Sequence, residues 1–146
     1  MNIPKELYEI SELLHTQNNR CTADPIFMLQ EKRRVYGLSH EYSNELVWID
    51  MEDGCDELPD PENDEQEIEY ENNEFYELVG FYDEWIDVKP FFTEKAALNY
   101  IDYNSHRHSG ELRTYAESLY RNPEMIAIRN FLLSLTNQRT EPQQKQ

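Results

Sequence analysis

The chain lacks basic residues over one long stretch. No lysine or arginine occurs from Val35 to Val88, although this span holds 19 of the 30 acidic residues. The remaining residues carry 11 acids and all 13 basic side chains, so the span supplies the whole excess behind the formal net charge of −17. A localised anionic surface attracts basic proteins and repels nucleic acid. The sequence therefore predicts a partner with a basic surface and no direct binding of nucleic acid.

Cysteine and long apolar runs are also scarce. The two cysteines, Cys21 and Cys55, form no paired motif, which excludes a disulfide framework and favours reduced thiols. The N-terminus is acidic and amphipathic, unlike a signal peptide. The apolar stretch near the C-terminus is interrupted by Arg129 and Asn130, so no window has the length of a membrane span. These features predict a cytoplasmic protein with no membrane contact.

Catalytic and cofactor motifs are missing as well. The four glycines are scattered, and the sequence has no GxSxG, no P-loop, no HExxH and no dinucleotide fingerprint. Asp60, Glu62 and Asp64 alternate as in a calcium loop, but Glu65 occupies the place of the required glycine. His106 and His108 lie far from the other histidines, which favours a surface loop over a metal site. We expect no enzymatic activity, no cofactor and no bound metal.

Patterns at both ends of the chain predict helices. Ile3, Leu7, Ile10 and Leu14 recur at helical spacing. Thr93 is a suitable N-cap for a helix through Tyr103. Asn122 can cap a last helix with Pro123 in its first turn, and its apolar stripe would contain Met125, Ile128, Leu132 and Leu135. We expect these stripes to pack in the core, and residues 136–146 to form a flexible tail.

The middle of the chain is richer in strand signals. Residues 25–36 fit either a helix or a strand, and we favour a strand with Leu46–Ile49 as its hairpin partner. Phe75–Phe92 is aromatic and β-branched, which predicts one or two strands, and Leu112–Leu119 predicts another. Residues 50–74 contain Gly54, Pro59 and Pro61 among many acids, which predicts a long exposed loop.

This order of elements predicts the α+β class. Strands come mostly together and helices lie at the ends, as expected for an antiparallel or mixed sheet covered by helices. The length suits one domain over residues 1–135, with the acidic loop at about 50–74 inserted. The basic run Lys32–Arg34 is expected to pair with the protein's own carboxylates and to orient that loop, rather than to contact a partner.

The acidic segment is the candidate binding site. Between Asp50 and Asp87 there are 17 acids in 38 residues. This density approaches that of duplex DNA, which carries one phosphate per about 3.4 Å on each strand. A rigid display of these charges could occupy the groove of a nucleic-acid-binding protein, with exposed tyrosines as anchors. The residues predicted to bind the partner are Asp50, Glu52, Asp53, Asp56, Glu57, Asp60, Glu62, Asp64, Glu65, Glu67, Glu69, Tyr70, Glu71 and Tyr76.

Three stretches outside the acidic segment carry a family resemblance. They are NNRCTADPIFMLQEKRRVYG at 18–37, FFTEKAALNYIDYNSHRH at 91–108 and LRTYAESLYRNPEMIAIRNFLLSL at 112–135. Together they resemble a family of small acidic accessory proteins from bacteriophages and prophages. The resemblance covers about half of the chain. It implies a bacterial host cytoplasm and an accessory role, and it supplies no catalytic residues.

Charge and resemblance together favour one function. We expect a phage protein that inhibits a nucleic-acid-binding defence complex of the host, of the restriction or CRISPR type, through an acidic surface that mimics DNA. The alternative is a structural or regulatory interaction module, for example a homodimer, whose acidic segment serves solubility alone. The two hypotheses differ in whether loss of the acidic charge abolishes binding.

Overall fold

The computed structural model describes residues 2–38, 45–52 and 54–144. These residues form helices, strands and a 3-10 turn in the following order: α1 (Lys5–Thr16), β1 (Pro25–Leu38), β2 (Leu46–Asp50), β3 (Asp56–Glu57), α2 (Asp64–Asn72), β4 (Tyr76–Phe91), α3 (Glu94–Asn104), the turn Ser105–Arg107, β5 (Leu112–Ser118) and α4 (Pro123–Gln144). The five strands form one antiparallel sheet in the order β3-β2-β4-β1-β5. The predicted α+β class, with helices at both ends, is confirmed.

Residues 25–36 belong to a strand, the favoured of the two alternatives. β1 pairs antiparallel with β5, and Phe27 lies opposite Ala116 in the register. Phe27 and Leu29 are fully buried. The segment MLQEKRR has good helix formers, but intrinsic propensity is a weak prior that tertiary pairing overrides. Here the burial of the first half of β1 favours the extended form.

The predicted hairpin between residues 25–36 and Leu46–Ile49 is wrong. β2 pairs with β4, with Val47 opposite Val79, and with β3, with Ile49 opposite Glu57. In the sheet β4 lies between β2 and β1. In this register the apolar residues Val47 and Trp48 lie opposite the apolar Val79 and Leu78. Residues 39–44, between β1 and β2, lie outside the described residues.

Two stretches of the predicted acidic loop have regular structure. Asp56–Glu57 forms β3, and Asp64–Asn72 forms α2. The loop prediction is wrong for these residues. β3 forms by pairing with β2, and α2 begins at the local cap Asn63, discussed below. Phe75–Phe92 gives the single strand β4, without a break at Gly80.

The helix caps follow the sequence predictions closely. The Thr93 hydroxyl accepts a hydrogen bond from the Ala96 N–H at 3.2 Å, and α3 begins at the next residue. The Asn122 side chain accepts from the Met125 N–H at 3.2 Å, with Pro123 as the first residue of α4. α4 continues to Gln144, and the predicted mobility of residues 136–146 stays a prediction.

The chain divides into two compact units. Unit 1 comprises Met1–Lys32 and Trp85–Gln146, and unit 2 comprises Arg33–Glu84. β1 and β4 each contribute residues to both units. The prediction of a single domain is not tested by this division and stays a prediction.

One core cluster of unit 1 lies between its terminal helices. Leu14 of α1 packs with Leu132 and Leu135 of α4, and Phe92 lies against this cluster. The predicted stripe of α4 is thus buried at Leu132 and Leu135, while Ile128 is exposed. Burial of such side chains is the main stabilising term of a small domain.

The core of unit 2 is smaller. Val47 and Ile49 of β2 pack with Val79 of β4, and Tyr36 and Phe81 lie against them. Consecutive residues of a strand point to opposite faces, so this cluster occupies one face of the sheet and Trp48 the other. Each of the two units contains one of the two tryptophans, Trp48 in unit 2 and Trp85 in unit 1.

Candidate functional site

Unit 2 carries nearly all of the protein's net charge. It contains 18 acidic residues and two basic ones, Arg33 and Arg34, for a formal charge of −16 out of −17. These acids are not equivalent in the structure. Three of them pair with the two arginines of the unit, whereas the five on α2 form no ion pair with the described residues. The division between the two groups defines the candidate site.

Arg34 neutralises two carboxylates of unit 2. Its Nη1 donates to Glu57 Oε1 at 2.7 Å and its Nε to Asp83 Oδ1 at 3.0 Å. The guanidinium carbon also lies 4.0 Å from the centroid of the Phe81 ring. The hydrogen bonds to Asp83, which have the larger effect, and the hydrogen bond to Glu57 raise the pKa of Arg34 above its ordinary value. The network thereby ties β3, which carries Glu57, to β1 and β4.

The neighbouring basic residues also pair internally. Arg33 forms a salt bridge with Glu84 in unit 2. Lys32, in unit 1, lies 3.9 Å from Glu111 Oε2 and over the Trp85 ring. The prediction that the basic run pairs with the protein's own carboxylates is confirmed. That this pairing orients the acidic segment stays a prediction.

Glu57 has a second internal partner. Its Oε1 accepts a hydrogen bond from the Tyr36 hydroxyl at 2.7 Å. This bond and the bond from Arg34 hold the pKa of Glu57 below its ordinary value, against a smaller opposing effect of burial. Burial, and then the bond to Glu57, raise the pKa of Tyr36 to about 12. Because its oxygen is occupied in this way, we assign Glu57 to the frame of unit 2 and leave it out of the proposed surface.

Local capping explains why α2 forms in such an acidic segment. The Asn63 side chain accepts a hydrogen bond from the Gln66 N–H at 2.8 Å. Gln66 Oε1 in turn accepts from the Glu62 N–H at 2.6 Å, so the two side chains satisfy free donors at the helix start, much as in a capping box. Asp64, Glu65 and Glu67 lie in the first turn, where negative charge is stabilising. The spacing of Asn63 and Gln66 is the sequence signal that predicts this helix, and the loop prediction overlooked it.

One side of α2 is fastened to the sheet by Tyr70. This side chain is buried, with its ring centroid 5.6 Å from Trp48 and 5.3 Å from Tyr76 in edge-on contacts. Its hydroxyl donates to the Pro59 carbonyl at 3.0 Å. The prediction that Tyr70 is an exposed anchor is wrong, because its ring and its hydroxyl both find partners inside unit 2. Tyr76 is only half-buried.

The other side of α2 is a compact anionic surface. Ile68, 55% exposed, has an acidic residue before it, after it and one turn away in each direction. We call this set the α2 acidic face: Asp64, Glu65, Glu67, Ile68, Glu69 and Glu71. All five of its carboxylates are exposed, and none forms an ion pair with any residue that the structure describes.

The other residues that were predicted to bind the partner are not part of the α2 acidic face. Glu52, Asp56, Asp60 and Glu62 are exposed. Asp50 is half-buried, and its Oδ1 accepts a hydrogen bond from the Glu52 N–H at 3.0 Å. Asp53 lies outside the described residues. The geometry therefore brings five of the predicted carboxylates together on α2, whereas the other described ones lie on β2, on β3 and in the segments that connect the elements.

The two histidines His106 and His108 have different surroundings in the structure. His106 is exposed in the 3-10 turn, whereas His108 lies 3.1 Å from Glu31 Oε1 and 2.9 Å from the Tyr100 hydroxyl. Within residues 2–38, 45–52 and 54–144, no three His, Cys, Asp or Glu side chains are arranged to hold a metal ion. Nor does any helix in these ranges combine the length and apolarity needed to cross a membrane.

Comparisons with known proteins give no relative for this arrangement. No protein-family model, no curated protein and no solved structure matches the chain. The resemblance to phage accessory proteins therefore stays an expectation of the sequence.

Proposed function

We propose that the protein acts by binding, and that the α2 acidic face occupies the basic groove of a nucleic-acid-binding protein. The observation that carries the proposal is the display of five exposed carboxylates on a single capped helix, none of them in an ion pair with the part of the chain that the structure describes. A preorganised anionic surface of this kind is complementary to an electropositive groove. It favours association with the groove and competes with the nucleic acid for it.

The charge density of α2 is close to that of DNA. Its nine residues carry five carboxylates. At a rise of about 1.5 Å per residue the helix is about 13 Å long, which gives one charge per about 2.7 Å along its axis. Each strand of duplex DNA carries one phosphate per about 3.4 Å. A groove that binds a phosphate backbone thus meets a similar linear density on α2.

Rigidity is the second requirement of mimicry. α2 is held by Tyr70 in the aromatic contacts described above, and the chain before it is held by the Glu57 bonds to Arg34 and Tyr36. A surface that is ordered before binding loses less conformational entropy on association than a flexible acidic tail. This distinguishes the proposal from the alternative in which the acids serve solubility alone.

The resemblance to phage accessory proteins suggests the class of target. We propose a restriction or CRISPR complex of the bacterial host, bound in the cytoplasm, with loss of its nucleic-acid binding as the effect. In this scheme the protein is an inhibitor rather than an enzyme, and it needs no cofactor.

Neutralising α2 tests the proposal. Tagged protein is used to capture partners from nuclease-treated bacterial lysate, and binding of the purified partner is then measured at several salt concentrations. The variant with Glu65, Glu67, Glu69 and Glu71 changed to glutamine should bind at least about 10-fold more weakly and with a shallower salt dependence. The partner's binding to a DNA duplex should fall when the wild-type protein is added, and recover with the variant.

A matched variant controls for net charge. Changing Glu6, Asp102, Glu117 and Glu124 to their amides removes the same number of exposed acids from unit 1. This variant should keep wild-type affinity. Equal weakening by both variants, or binding that salt does not affect, would contradict the proposal and favour the interaction module.

A further inference from the structure

Unit 2 has a pocket on the face of the sheet away from α2. Ile49 lines this pocket, while its neighbour Trp48 points to the other face and contacts Tyr70. The pocket has a volume of about 570 Å³, within the range of about 300–1,000 Å³ typical of binding pockets. All of its lining residues belong to unit 2.

The pocket has an apolar floor and an accessible rim. Ile49 and Val79 form the floor and are buried in the small core of the unit. Leu38 and Met51 line the opening, with exposed fractions of 37% and 46%. An opening of this kind leaves apolar surface in contact with water, and a partner side chain that covers it would release that water.

The surroundings of the pocket are anionic. Glu77 lines it and is exposed, and Glu52 and Asp56 are exposed next to the lining residues Met51 and Cys55. The two arginines of unit 2 are engaged by Glu57, Asp83 and Glu84. An occupant is therefore favoured when it has an apolar tip and positive charges on either side.

We infer that this pocket receives an apolar side chain from a lysine- and arginine-rich segment of the partner. The inference rests on the proposed function and adds a source of specificity to it. Charge alone attracts any basic segment, whereas a buried apolar anchor selects among them. The pocket and the α2 acidic face would then contact different parts of the same basic partner.

Two synthetic peptides test the inference on the full chain. The first is Lys-Arg-Lys-Leu-Lys-Arg-Lys, and the second has serine in place of leucine, with the same charge. Fluorescence anisotropy at low salt should show about 10-fold tighter binding of the leucine peptide, as expected from the burial of one apolar side chain. Leu38→Ser and Met51→Ser should each reduce that preference, whereas Tyr82→Ser, an exposed change elsewhere in unit 2, should retain it.

The two cysteines give an independent readout. Cys55 lines the pocket, Cys21 lies in unit 1, and both thiols are exposed. The leucine peptide should slow modification of Cys55 by a thiol reagent at least about 5-fold more than the serine peptide does, and leave Cys21 unaffected.

The outcomes separate this inference from the proposed function. Equal binding of both peptides, weakened by salt, would overturn the apolar pocket and leave the charge-based function standing. Absence of binding by either peptide would count against both. Self-association of the free protein that protects Cys55 and disappears in Met51→Ser would assign the pocket to a second copy of the chain, and would overturn the inference.

Discussion

Replacing Tyr70 with alanine is expected to lower the free energy of unfolding of unit 2 by about 3–5 kcal/mol, the usual cost of truncating a large buried aromatic side chain. Tyr70 contacts both Trp48 and Tyr76 and supplies the only buried side chain among the described residues of α2. Its loss would remove the contacts that hold the acidic helix on the sheet. The α2 acidic face would then lose its fixed geometry along with the stability of the unit.

The measurement uses the tryptophan of unit 2. In a Trp85→Phe background, urea unfolding followed by fluorescence reports on Trp48 alone. Tyr70→Phe, which loses only the hydrogen bond to Pro59, should cost about 1 kcal/mol. Tyr82→Ala, an exposed tyrosine of the same unit, should cost less than about 1 kcal/mol. A Tyr70→Ala midpoint as close to wild type as that of Tyr82→Ala would refute the buried position of Tyr70.

Replacing Arg34 with methionine is expected to cost about 2 kcal/mol near neutral pH. The change removes charge-assisted hydrogen bonds to Asp83 and Glu57, each of a kind that contributes more than a neutral bond. The expected loss of stability is no larger because the Arg34 side chain is 34% exposed, so solvent screens its interaction with the two carboxylates. Arg33→Met, which removes a more exposed arginine with one carboxylate partner, should cost less than about 1 kcal/mol.

The cost of Arg34→Met should depend on pH. The pKa of Glu57 is lowered in the folded protein by its bonds from Tyr36 and Arg34, so the linked stability is present above the ordinary value of 4.5 and is lost as pH falls below it. The difference between wild type and variant should therefore be largest near neutral pH and should shrink below about pH 4. A difference that stays constant over this range would show that Arg34 acts through packing on Phe81 and not through its charge.

The structure also changes how the acidic segment should be tested. The sequence predicts a loop at residues 50–74, and deleting residues 52–71 from such a loop is the usual way to separate inhibition from solubility. That deletion would remove Glu57 and Tyr70, which hold unit 2 together. Loss of activity would then reflect unfolding. Substitutions on the α2 acidic face leave these contacts intact and are the better test.

Features that depend only on residues close together in the sequence can be predicted from the sequence. The caps at Thr93 and Asn122 indicate where α3 and α4 begin, because a cap and the backbone N–H that donates to it lie only three residues apart. Asn63 and Gln66 have the same spacing at the start of α2, but Pro59 and Pro61 just before them favour a loop. The gap in basic residues located the charged segment directly, since formal charge needs no structure.

By itself, the sequence determined the α+β class, the helices at both ends, the concentration of charge in the middle and the internal pairing of the basic run. The tertiary structure alone decided that β2 pairs with β4, that Tyr70 faces inward and that Glu57 is engaged by Arg34 and Tyr36. These outcomes join residues that are distant in the chain, and the best partner depends on which competing contacts bury more apolar surface and satisfy more charge. A local sequence pattern does not show which of these competing contacts forms. The division between the carboxylates that pair with Arg33 and Arg34 and those of the α2 acidic face is therefore seen only in the folded protein.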